Sequence, residues 1–350
     1  MAATIEWFGT TTYRLKANGL TIFLDTWLER PSVLPKYLDV DDVDETDYIF
    51  ISHAHFDHLP GADRIAKKTG AVVIANGEVI NLLRGAAAAA GTIGTAPAPP
   101  GAPGGPEDSL AVMSVDVWPS LHCFMPAGPG GHHPNTINTA TLYTGEASSY
   151  TCTLDITHGM KHGLLRLGQL MPPEAMDEGT RSFVAYVEDR ERHLFSHYDG
   201  GQLAFNLRVG PGKTVFWSTH MGAYDGVLRA MEPKPDVAIL ALAGRANLNG
   251  RPFDGSAADF VVEKIKWLGE PATVIWCLHD ESPIKPYRVD TAAADSKVHR
   301  ETSSRILTLK NAVPTAFVGL SSLPAISPAA WPMPQPPERN YAAPCHALST

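Results

Sequence analysis

The sequence predicts an α/β fold, in which buried strands alternate with helices along the chain. Two kinds of observation support this prediction. Short apolar runs bounded by turn residues are typical of buried strands, and apolar residues repeating at helical spacing lie between them. The alternation is clearest in one stretch, which reads as strand 48–51, helix Asp57–Lys68, strand 71–75 and helix 76–84.

The amino-terminal segment predicts a β-hairpin. Residues 4–14 and 20–25 are rich in β-branched and aromatic side chains, and Asn18-Gly19 lies between them. Asn-Gly is the preferred pair for a tight hairpin turn, because both residues tolerate positive φ.

Further elements are predicted beyond a long segment of unusual composition. Residues 85–106 consist almost entirely of Ala, Gly and Pro and predict a flexible surface loop in which only part of the alanine run is helical. The stretch 126–180 has no interpretable pattern. The remaining predictions, in chain order, are strand 110–122, hairpin strands in 182–196, strands 202–209 and 214–218, helix 227–231, strand 235–242, helix 257–268 and strand 270–280. We expect a single domain over 1–325, followed by a proline-rich tail at 326–350.

Composition narrows the classes of function. The chain has 350 residues and a formal net charge of −9, without a run of lysines or arginines, which argues against a nucleic-acid partner. The sequence contains no apolar stretch long enough to cross a bilayer, and its amino terminus lacks the features of a signal peptide. The expected compartment is the cytoplasm. The sequence does not indicate an oligomeric state.

A dense group of ligand-type side chains follows the strand at 48–51. His53, His55, Asp57 and His58 lie within six residues. Imidazole and carboxylate groups are good ligands for zinc, manganese and iron, and a turn after a strand can direct alternate side chains to one point. This stretch therefore predicts a metal site.

The same pattern, a predicted strand that ends in histidine, recurs along the chain at His122, His220 and His279. Strand ends on one edge of an α/β sheet form a common crevice, so these histidines are expected to meet there. Cys123 follows His122 directly. On an extended strand it would point to the opposite face, and we therefore expect it to be a packing residue.

The motif His53-Ala-His55-Phe-Asp57-His58 resembles the HxHxDH signature of the metallo-β-lactamase superfamily. The closest resemblance is to the subgroup that holds the ascorbate phosphate lactonase and the phospholipase D that hydrolyses N-acylphosphatidylethanolamine. The resemblance implies an αββα sandwich of two mixed β-sheets flanked by helices. It also implies that His53, His55 and His122 bind a first metal ion, and that Asp57, His58 and His279 bind a second.

One position departs from the family pattern. The family has a bridging aspartate in a Gly-Asp-Thr-Gly turn, whereas the corresponding turn here has His220 in the aspartate position. A competing alignment places His197 and Asp199 there, but it requires a long insertion. Without the bridging carboxylate the second ion is expected to bind more weakly, or to be held by another acid such as Asp199.

The resemblance implies a metal-dependent hydrolase that acts on an ester, lactone, amide or phosphodiester bond of a small or lipid-like molecule. Asp57 would orient the attacking water, and the cofactor would be one or two zinc ions, with manganese or iron as alternatives. His132 and His133 are candidates for contact with substrate from a loop. An iron-binding redox relative and a non-catalytic relative of the same fold are the competing interpretations.

Overall fold

The computed structural model describes residues 3–89, 113–125, 137–138, 151–210, 213–285 and 287–316. These residues form two six-stranded β-sheets packed face to face, with helices on the outer faces. The expected αββα sandwich of mixed sheets is therefore confirmed.

The strands of the described residues are short, and most have five residues or fewer. In chain order they are β1 (Thr4–Trp7), β2 (Tyr13–Ala17), β3 (Leu20–Leu24), β4 (Tyr48–Phe50), β5 (Val72–Ile74), β6 (Ser114–Pro119), β7 (Ile137–Asn138), β8 (Leu203–Gly210), β9 (Lys213–Ser218), β10 (Gly222–Ala223), β11 (Val237–Ala241), β12 (Asn247–Leu248), β13 (Arg251–Pro252), β14 (Gly255–Ser256), β15 (Thr273–Cys277), β16 (Arg305–Ile306) and β17 (Thr315–Ala316).

The helices flank these strands. They are α1 (Ala62–Thr69), α2 (Gly77–Ala89), α3 (Thr151–His162), α4 (Leu167–Leu170), α5 (Glu178–Glu188), α6 (Asp225–Ala230), α7 (Ala257–Trp267) and α8 (Ala292–Glu301). Each of them is too short or too polar to span a membrane.

Both sheets are mixed. The first has the order β17-β1-β2-β3-β4-β5, antiparallel up to β3 and parallel from β3 to β5. The second has the order β16-β15-β11-β9-β8-β6, parallel up to β9 and antiparallel beyond it. Because β4 and β9 both lie in the parallel parts, their carboxyl ends reach edges where ligands commonly bind.

Alternation along the strands builds three apolar layers. In β9, Val215 and Trp217 pack between the two sheets, whereas Phe216 faces the helices. In β3, Phe23 likewise faces outward, toward α1 and α2. The Phe50 and Phe205 rings meet edge to face across the two sheets, 5.2 Å apart. Strands buried on both faces in this way read as continuous apolar runs, which explains why they were recognisable in the sequence.

Three element predictions were wrong in detail. The expected single strand at 4–14 is interrupted by a tight turn, in which the Phe8 amide donates to the Thr12 carbonyl at 2.9 Å. The helix expected from Asp57 begins only at Ala62, because Pro60 disfavours helical geometry at Leu59 and Gly61 adopts a φ of 99°. The hairpin strands expected in 182–196 do not form, because residues 182–188 belong to helix α5 and residues 189–196 contain no strand.

Other predictions agree with the described residues. Asn18 and Gly19 both have positive φ in the turn between β2 and β3.

The expected surface loop at 85–106 begins inside α2, and its residues from 90 onward lie outside the described part of the chain. The tail at 326–350 and the pair His132 and His133 also lie outside the described part.

Helix α7 begins with a capping box, which gives a testable contribution to stability. Ser256 and Asp259 exchange hydrogen bonds between side chain and backbone, and Lys297 pairs with Asp259 at 2.6 Å. Burial acts to raise the pKa of Asp259, but the Lys297 ammonium and the Ser256 groups hold this pKa at about 2.

We expect Asp259→Ala to lower the free energy of unfolding by about 1 kcal/mol at pH 7. Because the folded-state pKa lies below the ordinary value of 3.8, the contribution is present above pH 4 and is lost as pH falls toward 2. Urea unfolding at pH 7 and at pH 3 measures it. Glu263→Ala on the same helix is the control, with an expected change below about 0.5 kcal/mol.

Candidate metal centre

Four histidines from the ends of strands in both sheets meet at one point. His53 follows β4, His122 follows β6, and His220 follows β9, while His55 lies in the turn after His53. His53 Nε2 is 3.0 Å from His55 Nδ1, and His55 Nδ1 is 3.2 Å from His122 Nε2. His220 Nε2 lies 3.3 Å from His53 Nε2. All four side chains are buried.

Hydrogen bonds on the far side of two rings fix which nitrogens carry lone pairs. His122 Nδ1 donates to the Cys123 carbonyl at 2.8 Å, so its Nε2 is the lone-pair nitrogen. The Ser52 hydroxyl donates to Asp25, so it accepts from His53 Nδ1 at 3.1 Å, and His53 Nε2 also carries a lone pair. Two lone pairs therefore converge near His55 Nδ1, an arrangement that a cation would stabilise.

His58 is held by a carboxylate that the sequence analysis did not single out. Asp25 is fully buried and accepts from His58 Nδ1 at 2.6 Å, from Thr11 Oγ1 at 2.8 Å and from the Ser52 amide at 2.9 Å. A carboxylate behind an imidazole orients the ring and leaves Nε2 as its ligand atom. The only indication of this role in the sequence is the position of Asp25 at the end of β3, the strand that pairs with β4.

The ionisation of the histidines fits a site for a cation. Burial, together with the neighbouring imidazoles, lowers the pKa of His53, His55 and His220 well below the usual value, so these rings are neutral and their lone pairs are available. Burial alone would lower the pKa of His58, but the carboxylates of Asp57 and Asp25 raise it to about 10. Without an ion His58 is therefore an imidazolium, and a metal ion that binds here would displace the proton from its Nε2.

The other predicted ligands lie at different distances from this group. The Asp57 carboxylate is 3.4 Å from His58 Nε2 and faces the adjoining cavity. His279 also lines the cavity, with its ring stacked on Trp7 and its buried Nδ1 lacking a hydrogen-bond partner among the described residues. It does not belong to any of the close ligand groups found in the described part of the chain, which are His53-His58-His220, His53-His55-His122 and His122-Cys123-His220.

The competing pair His197 and Asp199 is near the site but also outside these groups. The Asp199 carbonyl accepts from the Ala54 amide at 3.2 Å, so this segment contacts the turn that contains the His53–His58 motif. Burial lowers the pKa of His122, and the negative charge of Asp199 acts in the opposite direction. The Asp199 carboxylate therefore interacts electrostatically with the histidine cluster, which consists of His53, His55, His122 and His220. The His197 ring packs on Tyr198.

The expectation that Cys123 would point away from the site was wrong. Its Sγ lies 3.5 Å from Nδ1 of both His122 and His220. Strand β6 ends at Pro119, so the alternation of faces that the expectation assumed does not apply at position 123. The Cys123 thiol therefore packs against the side of each ring that is opposite Nε2.

A buried lysine supports the segment that carries His220. Lys264 on α7 is 1% exposed, and its Nζ donates to Ser218 Oγ at 2.8 Å and to the carbonyls of His220 and Gly222, each at 3.2 Å. Burial lowers the pKa of Lys264 to about 7. All three acceptors lie within five residues, so this side chain fixes the backbone path through His220.

We expect Lys264→Met to weaken metal binding by about tenfold, since outer-shell supports of metal ligands contribute at this level. The measurement is a competition titration of the purified protein with a chromophoric chelator. Lys266→Met, on the same helix but near the surface, is the matched control. Unchanged metal affinity in Lys264→Met would show that the segment holds its path without this lysine.

A cavity of about 410 Å³ opens directly onto the histidine cluster. Its polar lining includes His55, Asp57, His122, His220 and His279. Its apolar lining comes mainly from a cluster centred on α3 and α5. A concave, mainly apolar space with a few convergent polar groups is the usual form of a small-molecule site.

Comparison with known proteins matches the sequence to a family. A family model described as the metallo-beta-lactamase superfamily matches residues 21–239, which is more than half of the chain. A UPF0173 metal-dependent hydrolase of Christiangramia forsetii is 35% identical over 77 residues, covering 22% of this chain and 34% of the relative. A UPF0173 metal-dependent hydrolase of Pyrobaculum islandicum is 36% identical over 75 residues, covering 21% and 33%. The alignments therefore span about a third of these relatives.

A solved structure resembles this fold over most of the chain. Igni18, a metallo hydrolase from the hyperthermophilic archaeon Ignicoccus hospitalis, superposes with a TM-score of 0.51 at 16% identity, covering 91% of this chain and 99% of the other. At this level of identity the likeness concerns the fold.

Proposed function

Because the chain belongs to the metallo-beta-lactamase superfamily, we propose that it is a metal-dependent hydrolase of an ester, lactone, amide or phosphodiester bond in a small or lipid-like substrate. The observation that carries the proposal is the convergence of three imidazole nitrogens: His55 Nδ1 lies 3.0 Å from His53 Nε2 and 3.2 Å from His122 Nε2, and both His55 and His122 line the cavity. Three imidazole nitrogens in this arrangement suit zinc, and also iron or manganese.

In this proposal His53, His55 and His122 hold the first ion, and His58, Asp57, His220 and His279 surround the second. A bound divalent ion would lower the pKa of a water molecule and polarise the oxygen of the electrophile. The Asp57 carboxylate faces the cavity and would accept a hydrogen bond from the attacking water, so that its lone pair points at the substrate. Burial acts to raise the pKa of Asp57, but adjacent His58 lowers it, so this carboxylate is ionised and able to accept.

The second ion is proposed to bind more weakly than the first. In the family pattern a bridging carboxylate would lie where His220 lies, and a neutral imidazole offsets none of the repulsion between two divalent ions. His220 Nε2 lies 3.3 Å from His53 Nε2, which supports a role for His220 as a neutral donor to the centre. Asp199 remains the nearby acid that would complete the second site.

We expect His220→Asp to raise the number of firmly held ions from one to two per chain, because it supplies the missing negative charge. The measurement is elemental analysis after dialysis against a weak chelator. Asp199→Asn in the wild-type background separates the alternatives, because it lowers the second occupancy only if that carboxylate holds the ion. Two tightly held ions in the wild-type protein would contradict the one-metal version.

Activity is tested on p-nitrophenyl esters, a homoserine lactone and bis-p-nitrophenyl phosphate, before and after metal removal and after return of zinc, manganese or iron. We expect hydrolysis that is lost with the metal, restored with it, and lost in Asp57→Ala. Full activity without metal, or in Asp57→Ala, would refute the proposal. Visible absorption bands of iron together with absence of hydrolysis would favour the redox alternative.

A further inference from the structure

The cavity beside the histidine cluster has two chemically distinct kinds of lining. One consists of the metal-type ligands, and the other is an apolar wall formed by Trp27, Phe56, Ile156, Met160, Phe183 and Ile284. Four of these side chains are almost completely buried: Trp27, Ile156, Met160 and Phe183. The wall is therefore part of a packed core rather than a set of mobile surface groups.

The polar atoms near this wall already make hydrogen bonds within the protein. Trp27 Nε1 donates to Tyr186 Oη at 3.0 Å, and Tyr186 Oη donates to the Phe56 carbonyl at 3.1 Å. A charged or sugar-like group placed against this wall would lose its hydration and gain no hydrogen bond from it.

The charged groups around the rest of the cavity are also paired. Both oxygens of Asp280 accept from the Thr10 amide, and Glu281 is held by Arg30 at 2.9 Å and by Tyr37 at 2.8 Å. Arg30 itself is buried over the Trp27 ring, at 4.7 Å. Two largely exposed cations also line the cavity, and they lie near carboxylates: Lys285 is 3.8 Å from Asp177 and Arg288 is 3.6 Å from Glu281. Each of these charged groups therefore has a partner of opposite charge within 4 Å.

On the basis of the proposed hydrolase function, we propose that the substrate carries an uncharged apolar group, an acyl chain or a ring, which binds against this wall while the scissile bond lies beside the histidines. The wall lines the same cavity as Asp57 and His55, so a single molecule can contact both. The apolar arm then sets specificity, since each buried methylene strengthens binding by about fourfold until the space is filled.

Direct binding tests the wall without requiring turnover. Isothermal titration of 1-butanol, 1-hexanol and 1-octanol into the metal-loaded protein should give affinities that rise by about fourfold per methylene, with a negative heat-capacity change. Ile156→Phe, which narrows the space, should move the optimum to a shorter chain. Met160→Ala, which widens it, should move the optimum to a longer one. Lys161→Ala, on the exposed side of the same helix, is the matched control.

Hydrolysis is then measured on p-nitrophenyl acetate, butyrate, hexanoate and octanoate in the same proteins, with melting curves to confirm folding. Values of kcat/KM that follow the binding series, and shift with it in both variants, support the proposal. Affinities that are independent of chain length, or an optimum unchanged in both variants, would overturn it. If the alcohols bind as expected but none of the hydrolase substrates turns over, the apolar site stands and the proposed activity fails.

Discussion

Replacing His53 with alanine is expected to remove bound metal and to lower kcat/KM by more than about 100-fold. This side chain belongs to two of the three ligand groups, because its Nε2 lies 3.0 Å from His55 Nδ1 and 3.3 Å from His220 Nε2. Loss of an outer-shell partner alone costs about 10- to 100-fold in affinity or activity, and loss of a shared ligand exceeds that range.

The measurements are the metal content after dialysis and the rate on the best substrate of the panel. His299→Ala is the control, since this exposed histidine lies on α8 outside the ligand groups. Metal content and rate close to wild type in His53→Ala would remove the histidine cluster from the proposed centre.

Replacing Asp25 with asparagine is expected to lower metal affinity by about 10- to 100-fold while keeping the fold. The Ser52 amide requires an acceptor at position 25, so the asparagine oxygen turns toward it and the amide group faces His58. His58 Nδ1 must then accept, which places the proton on Nε2 and blocks that atom as a ligand.

Asp25→Ala is the more disruptive form of the same experiment. It leaves His58 and two hydroxyl groups without their buried partner, and we expect a loss of about 3 to 5 kcal/mol in the free energy of unfolding. Asp47→Asn is the matched control, because Asp47 also accepts from a backbone amide, that of Thr21 at 2.7 Å, but is exposed. If Asp25→Asn binds metal like wild type, the orientation of His58 does not depend on this carboxylate.

The sequence predicted the parts of the centre that local spacing encodes. His53, His55 and His58 lie in one motif. His122 follows an alternating stretch and His220 follows an apolar run, and each of these patterns predicted a strand. The strand order within each sheet needed the resemblance or the structure, because short buried strands look alike and do not indicate their partners.

The errors arose where local pattern and tertiary context compete. Segment 182–196 contains Phe183, Tyr186 and Val187, which favour strands by type, yet their spacing is helical and Asp177 caps the helix by accepting from the Thr180 amide. Asp25 and Lys264 were missed because each acts through partners far along the chain, as in the pairing of Lys264 with Ser218. Such pairing is a property of the packed sheets, and it leaves no periodic signal.

The centre also lies across the interface of the two sheets. His55 follows a strand of the first sheet and His122 follows a strand of the second, and 67 positions of sequence separate these two ligands of the first ion. An ion held by both would act as a cross-link that closes a long loop, comparable in its effect on the unfolded chain to a disulfide bond. Metal binding would then stabilise the folded sandwich in addition to taking part in the reaction. The free energy of unfolding would therefore depend on the metal concentration.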